Sequence, residues 1–108
     1  MRPFEVRMTA DAVRDLEEIV DFALHDGAAR AQHVLDRIQA AVEALGRFPE
    51  RGPHPAELIA LGIREYRETF FKPYRIVYYV DGRRVFISLV ADGRRDFEAL
   101  LARRILGA

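Results

Sequence analysis

The spacing of apolar residues along this chain changes period twice. Pro3 to Met8 alternates, with Phe4, Val6 and Met8 on one side and Glu5 and Arg7 on the other, which predicts a half-buried opening strand. Thr9 then stands where an N-cap belongs, and Ala12, Val13, Leu16, Ile19, Val20, Ala23 and Leu24 recur at helical spacing up to Gly27. Ala31, Val34, Leu35, Ile38, Ala41, Val42 and Leu45 form a second such stripe between Ala28 and Leu45, ended by Gly46. The short joint between them predicts an antiparallel helical hairpin. Arg47 to Pro55 holds three prolines and a glycine and reads as a loop, and Ala56 to Leu61 as a helical turn or irregular segment ending at Gly62.

From Ile63 the period is two. Ile63 to Phe70 reads as a charged strand, Tyr74 to Val80 as a central one rich in β-branched and aromatic residues, and Arg84 to Val90 as a third. Asp81-Gly82 is a hairpin turn signal, so these strands predict an antiparallel meander. Asp96 can cap a final short helix whose Phe97, Leu100, Leu101 and Ile105 share a face. The order is β-α-α-β-β-β-α, an α+β class in which the N-terminal helical hairpin packs on one face of the sheet and leaves the other partly open.

Length and composition narrow this picture. At 108 residues the chain is read as one domain, 1–108, with a single core. Half the residues are hydrophobic and 31% are charged, an ordinary globular balance that argues against disorder. The absence of cysteine removes thiolate ligands, thiol nucleophiles and disulfides from consideration and fits a cytoplasmic protein. No apolar run suggests a leader or a membrane span. Net charge is zero but divided: residues 1–62 carry 7 Lys/Arg against 11 Asp/Glu, and residues 63–108 carry 10 against 6. A basic second half fits solvated helix faces, or a surface that meets an acidic partner or a phosphate backbone, whereas the zero total argues against direct binding of bulk DNA.

Tyr74-Arg75-Ile76-Val77-Tyr78-Tyr79-Val80, then Val85 to Val90, then Asp92-Gly93-Arg94-Arg95-Asp96 resemble the C-terminal signature of the ParE/RelE toxin superfamily. Arg47-Phe48-Pro49 with Gly52 resembles the loop after its helical hairpin. Val6, Thr9 and Ala12 through Ile19 resemble its opening strand and helix. The resemblance spans nearly the whole chain and implies a small curved antiparallel sheet with two helices packed on it. It also implies the toxin of a type II toxin–antitoxin (plasmid stabilisation) pair, which arrests growth and forms a hetero-oligomer with its antitoxin. RelE-like members cut messenger RNA on the ribosome; ParE-like members poison DNA gyrase.

The ribonuclease alternative needs a proton acceptor, cations for the phosphorane charge and an acid for the leaving oxygen. Arg75 falls where the superfamily's strand arginine falls. Tyr66 and Glu68 stand where RelE-like members place lysines, and Phe97, Glu98 and Ala99 offer no terminal tyrosine or histidine. The ParE-like branch is the better match, although Asp92 replaces the histidine of many of its members. This reading leans away from an enzyme and assigns no catalytic residue, metal or cofactor. Its expected target is DNA gyrase, and its expected partner a ParD-like antitoxin that wraps the domain as a helix and an added strand, covering the helical hairpin and a sheet edge.

Arg75, Arg94, Arg95, Tyr78 and Tyr79 are the candidates for contact with target or antitoxin. Leu24, Val34 and Val42 are the candidates for antitoxin docking on the helix backs. Each has a plainer alternative. Arg75 can pair with a carboxylate across the sheet, and Arg94 and Arg95 with Asp92 or Asp96. Of two adjacent tyrosines on a strand, one faces the core. Arg103 and Arg104 suit a helix C-terminus, and Asp11, Asp15, Glu18 and Asp21 a solvated helix face.

Overall fold

The structure is a computed structural model that describes residues 3–107; Met1 and Arg2 of the segment searched for a leader lie outside the described residues. It begins with strand β1 (Glu5–Met8) and helix α1 (Ala10–Ala23). The Thr9 hydroxyl accepts the Ala12 N–H at 3.2 Å and so caps α1 as its sequence predicts. A short 3-10 turn (Leu24–Asp26) leads to Gly27, whose φ of 103° turns the chain into α2 (Ala28–Ala44). Ala31, Val34, Ile38 and Val42, at steps of three and four, are the buried face of α2.

After the proline-rich loop come a single-turn helix α3 (Ala56–Ile59), strands β2 (Tyr66–Phe71), β3 (Tyr74–Asp81) and β4 (Arg84–Asp92), and helix α4 (Phe97–Leu101). A π-helical turn (Ala102–Leu106) extends α4. The segment of uncertain type is therefore helical, and it delays the strand expected from Ile63. Ile63 N–H donates to the Leu58 carbonyl at 2.9 Å, Gly62 has φ of 77°, and pairing begins only at Tyr66.

Strand order is β1-β4-β3-β2. The meander is antiparallel as expected, while β1 lies parallel to β4 and makes the sheet mixed. Pairing shifts between Val77 and Tyr78, so Val77 faces Leu89, Tyr78 faces Ile87, and Ser88 is the extra residue of a bulge. That extra residue puts Ile87 and Val90, three apart, on the same face.

The face toward α1 and α2 carries Ile76, Tyr78, Val85, Ile87 and Val90 in one core with Ala12, Val34 and Ile38. The opposite face carries Val77, Leu89 and Ala91, covered by Leu58 of α3 and Phe97 and Leu101 of α4. At the other end of that face a half-buried aromatic row crosses the strands. Tyr66 meets Tyr79 edge-on at 5.5 Å, and Tyr79 stacks on Phe86 at 5.1 Å. Among the described residues no helix is long and apolar enough to cross a membrane.

Candidate functional site

Arg75 rises from β3 on the α3/α4 face and meets two carboxylates. Its Nη1 and Nη2 donate to Glu57 Oε2 and Oε1 at 2.7 and 2.8 Å, and its Nε and Nη2 donate to Glu68 Oε1 and Oε2 at 2.8 and 3.1 Å. Phe97 of α4 lies under the guanidinium, 3.9 Å from Cζ to ring centroid. These bonds, mainly those to Glu57, hold the Arg75 pKa above its ordinary value, and the same bond holds the Glu57 carboxyl below the carboxylate range. The Arg75 side chain is 17% exposed and that of Glu68 is 6%. A Cβ at Gly93 would lie 2.7 Å from Arg75 Cδ, so the loop after β4 can cross this stem only as glycine. Arg75 thus joins β2, β3, α3 and α4, with four of a guanidinium's five N–H donors used inside the chain.

The loop from Asp92 presents two cations beside this cluster. Asp92 Oδ1 accepts the Arg94 backbone N–H at 2.9 Å, and Arg94 Nη2 reaches Oδ2 at 2.6 Å. The Arg94 contact depresses the Asp92 carboxyl. Arg94 nevertheless remains 77% exposed, and Arg95 is exposed. Such an exposed pair orders the loop and contributes little stability.

The two tyrosines part as their positions require. Tyr78 is wholly buried against the helical hairpin and its hydroxyl donates to the Pro49 carbonyl, so it holds the proline-rich loop and presents nothing to a partner. Tyr79 points to the opposite face, half-buried in the middle of the aromatic row. Of the docking candidates, Leu24 is 49% exposed, whereas Val34 at 0% and Val42 at 9% belong to the core. The stripe that makes α2 amphipathic turns both inward, so the helix-back assignment of Val34 and Val42 is corrected. Phe22, passed over in the sequence, is the more accessible neighbour of Leu24 at 74% exposure.

Sequence reasoning also missed a bridge between Asp15 and Arg104. Asp15 accepts two bonds from Arg104 at 2.9 Å and the backbone N–H of Val90 at 3.0 Å, and Arg104 Nη1 donates to the Ser88 carbonyl at 2.7 Å. The shortness of β1 explains it. Thr9 N–H makes the last bond along that edge, to Ile87, and Asp15 and Arg104 then satisfy the edge of β4 that β1 leaves behind. The one clue was position, since Asp15 lies three residues after buried Ala12 and four before Ile19, beside the core stripe.

The histidines lie apart: His54 Nδ1 is 2.9 Å from the Tyr66 carbonyl, His25 Nδ1 is 3.0 Å from the Phe22 carbonyl, and His33 packs edge-on against Phe71. Among the described residues no group of His, Cys, Asp and Glu is placed to hold a metal ion.

The family profile described as "ParE toxin of type II toxin-antitoxin system, parDE" matches residues 6–97. The chain belongs to the ParE toxin family. Toxin ParE3 of Caulobacter vibrioides is 29% identical over 91 residues, which are 83% of this chain and 87% of that protein. The chromosomal ParDE system of P. aeruginosa contains a chain of the same fold, with TM-score 0.71, 20% identity and coverage of 85% of this chain and 98% of that one. A chain of the RelBE2 toxin–antitoxin complex of Mycobacterium tuberculosis is also similar in fold, with TM-score 0.62, 22% identity and coverage of 83% and 98%. In this ParE-family chain the helical hairpin, strands β2 to β4 and the loop of Asp92 to Asp96 all lie within the matched span, which begins inside β1.

Proposed function

We propose that this toxin arrests growth by binding DNA gyrase without cutting RNA, and that a ParD-like antitoxin holds it inactive. The observation that carries the first half is the engagement of Arg75. A ribonuclease of this fold needs a sheet cation free to meet a scissile phosphate. Here the strand arginine faces Glu57 and Glu68, which would also repel the phosphate. Two accessible cations of that region, Arg94 and Arg95, sit on a loop where they can grip a protein partner, with Tyr79 as a further contact. For the antitoxin, the support is family membership together with exposed Phe22 and Leu24 at the tip of the helical hairpin.

The test is induction of the chain in cells without antitoxin, followed by plasmid topology and primer extension on abundant transcripts. Arrest with altered plasmid supercoiling and intact transcripts is expected. Arrest with new transcript ends inside codons would replace this reading with ribosome-dependent cleavage, and normal growth would mark an inactive remnant.

A further inference from the structure

The start of β1, the loop after α2 and the β3–β4 turn meet in a second basic corner, none of whose lining residues pairs with Arg75. Phe4 N–H donates to the Gly46 carbonyl at 2.7 Å, which brings the loop beside β1. Arg51 lies over the Phe48 ring and Arg83 over the Phe4 ring, each with Cζ 4.0 Å from the centroid. With Arg47 and Glu50 these residues line a cleft of about 460 Å³. Stacking the face of Arg51 on Phe48 leaves its in-plane N–H fork for a planar anion. Among the described residues, no ion pair engages Arg47 or Arg51, unlike Arg75, Arg94 and Arg104. Phe48, at 48% exposure, adds apolar surface beside the forks.

We propose that this corner docks a segment of a partner protein in which carboxylates are spaced by apolar side chains, the Arg47 and Arg51 forks taking the carboxylates and Phe4 and Phe48 the apolar groups. The neighbouring charges favour such a peptide over a nucleic-acid strand. The cleft continues through Arg83 into a second one edged by Glu5 and Asp81, and Glu50 stands in the first. An unbroken run of phosphates would meet these three carboxylates, whereas a peptide can place its charges between them. The identity of that partner as the antitoxin rests on the proposed function; the chemistry of the corner does not.

The test compares the wild-type chain with Arg47→Glu/Arg51→Glu, each verified as folded by circular dichroism. Both are titrated with the neutralising partner protein, with a blocked peptide alternating glutamate and leucine, and with a short oligothymidylate. The double variant is expected to weaken partner binding by about 10–100-fold and to flatten its salt dependence. The peptide is expected to move the amide resonances of Phe4, Phe48 and Arg51 in the wild type only. Unchanged partner affinity would overturn the proposal, as would oligothymidylate moving these resonances when the peptide does not. If no protein neutralises the chain, the antitoxin reading fails and the peptide titration decides alone. Neither titration depends on gyrase.

Discussion

Replacing Arg75 with methionine separates an internal support from a contact residue. The substitution keeps most of the apolar stem over Phe97 but leaves Glu68, with 6% side-chain exposure, and Glu57, with 24%, facing each other without a cation. Removing one partner of a buried ion pair costs about 3–5 kcal/mol. The partial exposure of Glu57 and Arg75 lets water screen the charge, so the lower part of that range, about 3 kcal/mol, is expected. In urea the unfolding midpoint should fall by about 2 M, and Tm by roughly 10–20 °C.

The pH dependence that Glu57 contributes should also be lost. In the wild type Glu57 is depressed in the folded state, so its contribution is present above the unfolded carboxylate pKa and fades as pH falls through the folded one. In the variant the Arg75 contact that depresses Glu57 is gone, so stability should no longer rise with its titration between about pH 4 and pH 7. Adding Glu68→Leu to Arg75→Met should restore much of the loss. The assay is urea unfolding followed by circular dichroism at both pH values. An unchanged midpoint combined with lost toxicity would refute the internal role and make Arg75 a contact residue.

Other substitutions probe the remaining supports and the exposed loop. Asp15→Ala strands the Val90 N–H and frees Arg104, and should cost about 2–3 kcal/mol in the same assay; a loss under about 0.5 kcal/mol would mean that water replaces the carboxylate. Gly52→Ala would drive a Cβ into the Tyr78 hydroxyl and to 2.6 Å from the Glu68 carbonyl. It should destabilise the chain by about 1–3 kcal/mol, and a neutral result would mean that the loop shifts freely. Arg94→Ala and Arg95→Ala should leave the urea midpoint essentially unchanged. Together they should reduce gyrase inhibition; full potency in the double variant would remove this loop from the target interface.

The regular elements were legible because each is a local pattern: the stripes of α1 and α2, the Thr9 and Asp96 caps, the Asp81-Gly82 turn and the alternating strands. What the pattern could not supply was pairing across distance. The parallel match of β1 with β4 joins residues at opposite ends of the chain, and Asp15 meets Arg104 only because β1 stops at Met8. Arg75 showed the same limit. Its pairing across the sheet was foreseeable as one option, but Glu57 enters from a helix too short to carry a periodic signal. Val34 and Val42 were recoverable, since spacing with Ala31 and Ile38 commits them to the buried face. The bulge at Ser88, which sends Ile87 and Val90 to one side, breaks simple alternation and has no local signature in Val85 to Val90.

The central claim is tested most directly by gyrase supercoiling of relaxed plasmid with purified chain added over a concentration series, then with antitoxin restored. The account predicts dose-dependent loss of supercoiling, recovery on adding antitoxin, and no cleavage of ribosome-bound messenger RNA by the same preparation. Undiminished supercoiling by a folded, growth-arresting preparation would contradict it, and cleaved message would move the target to the ribosome.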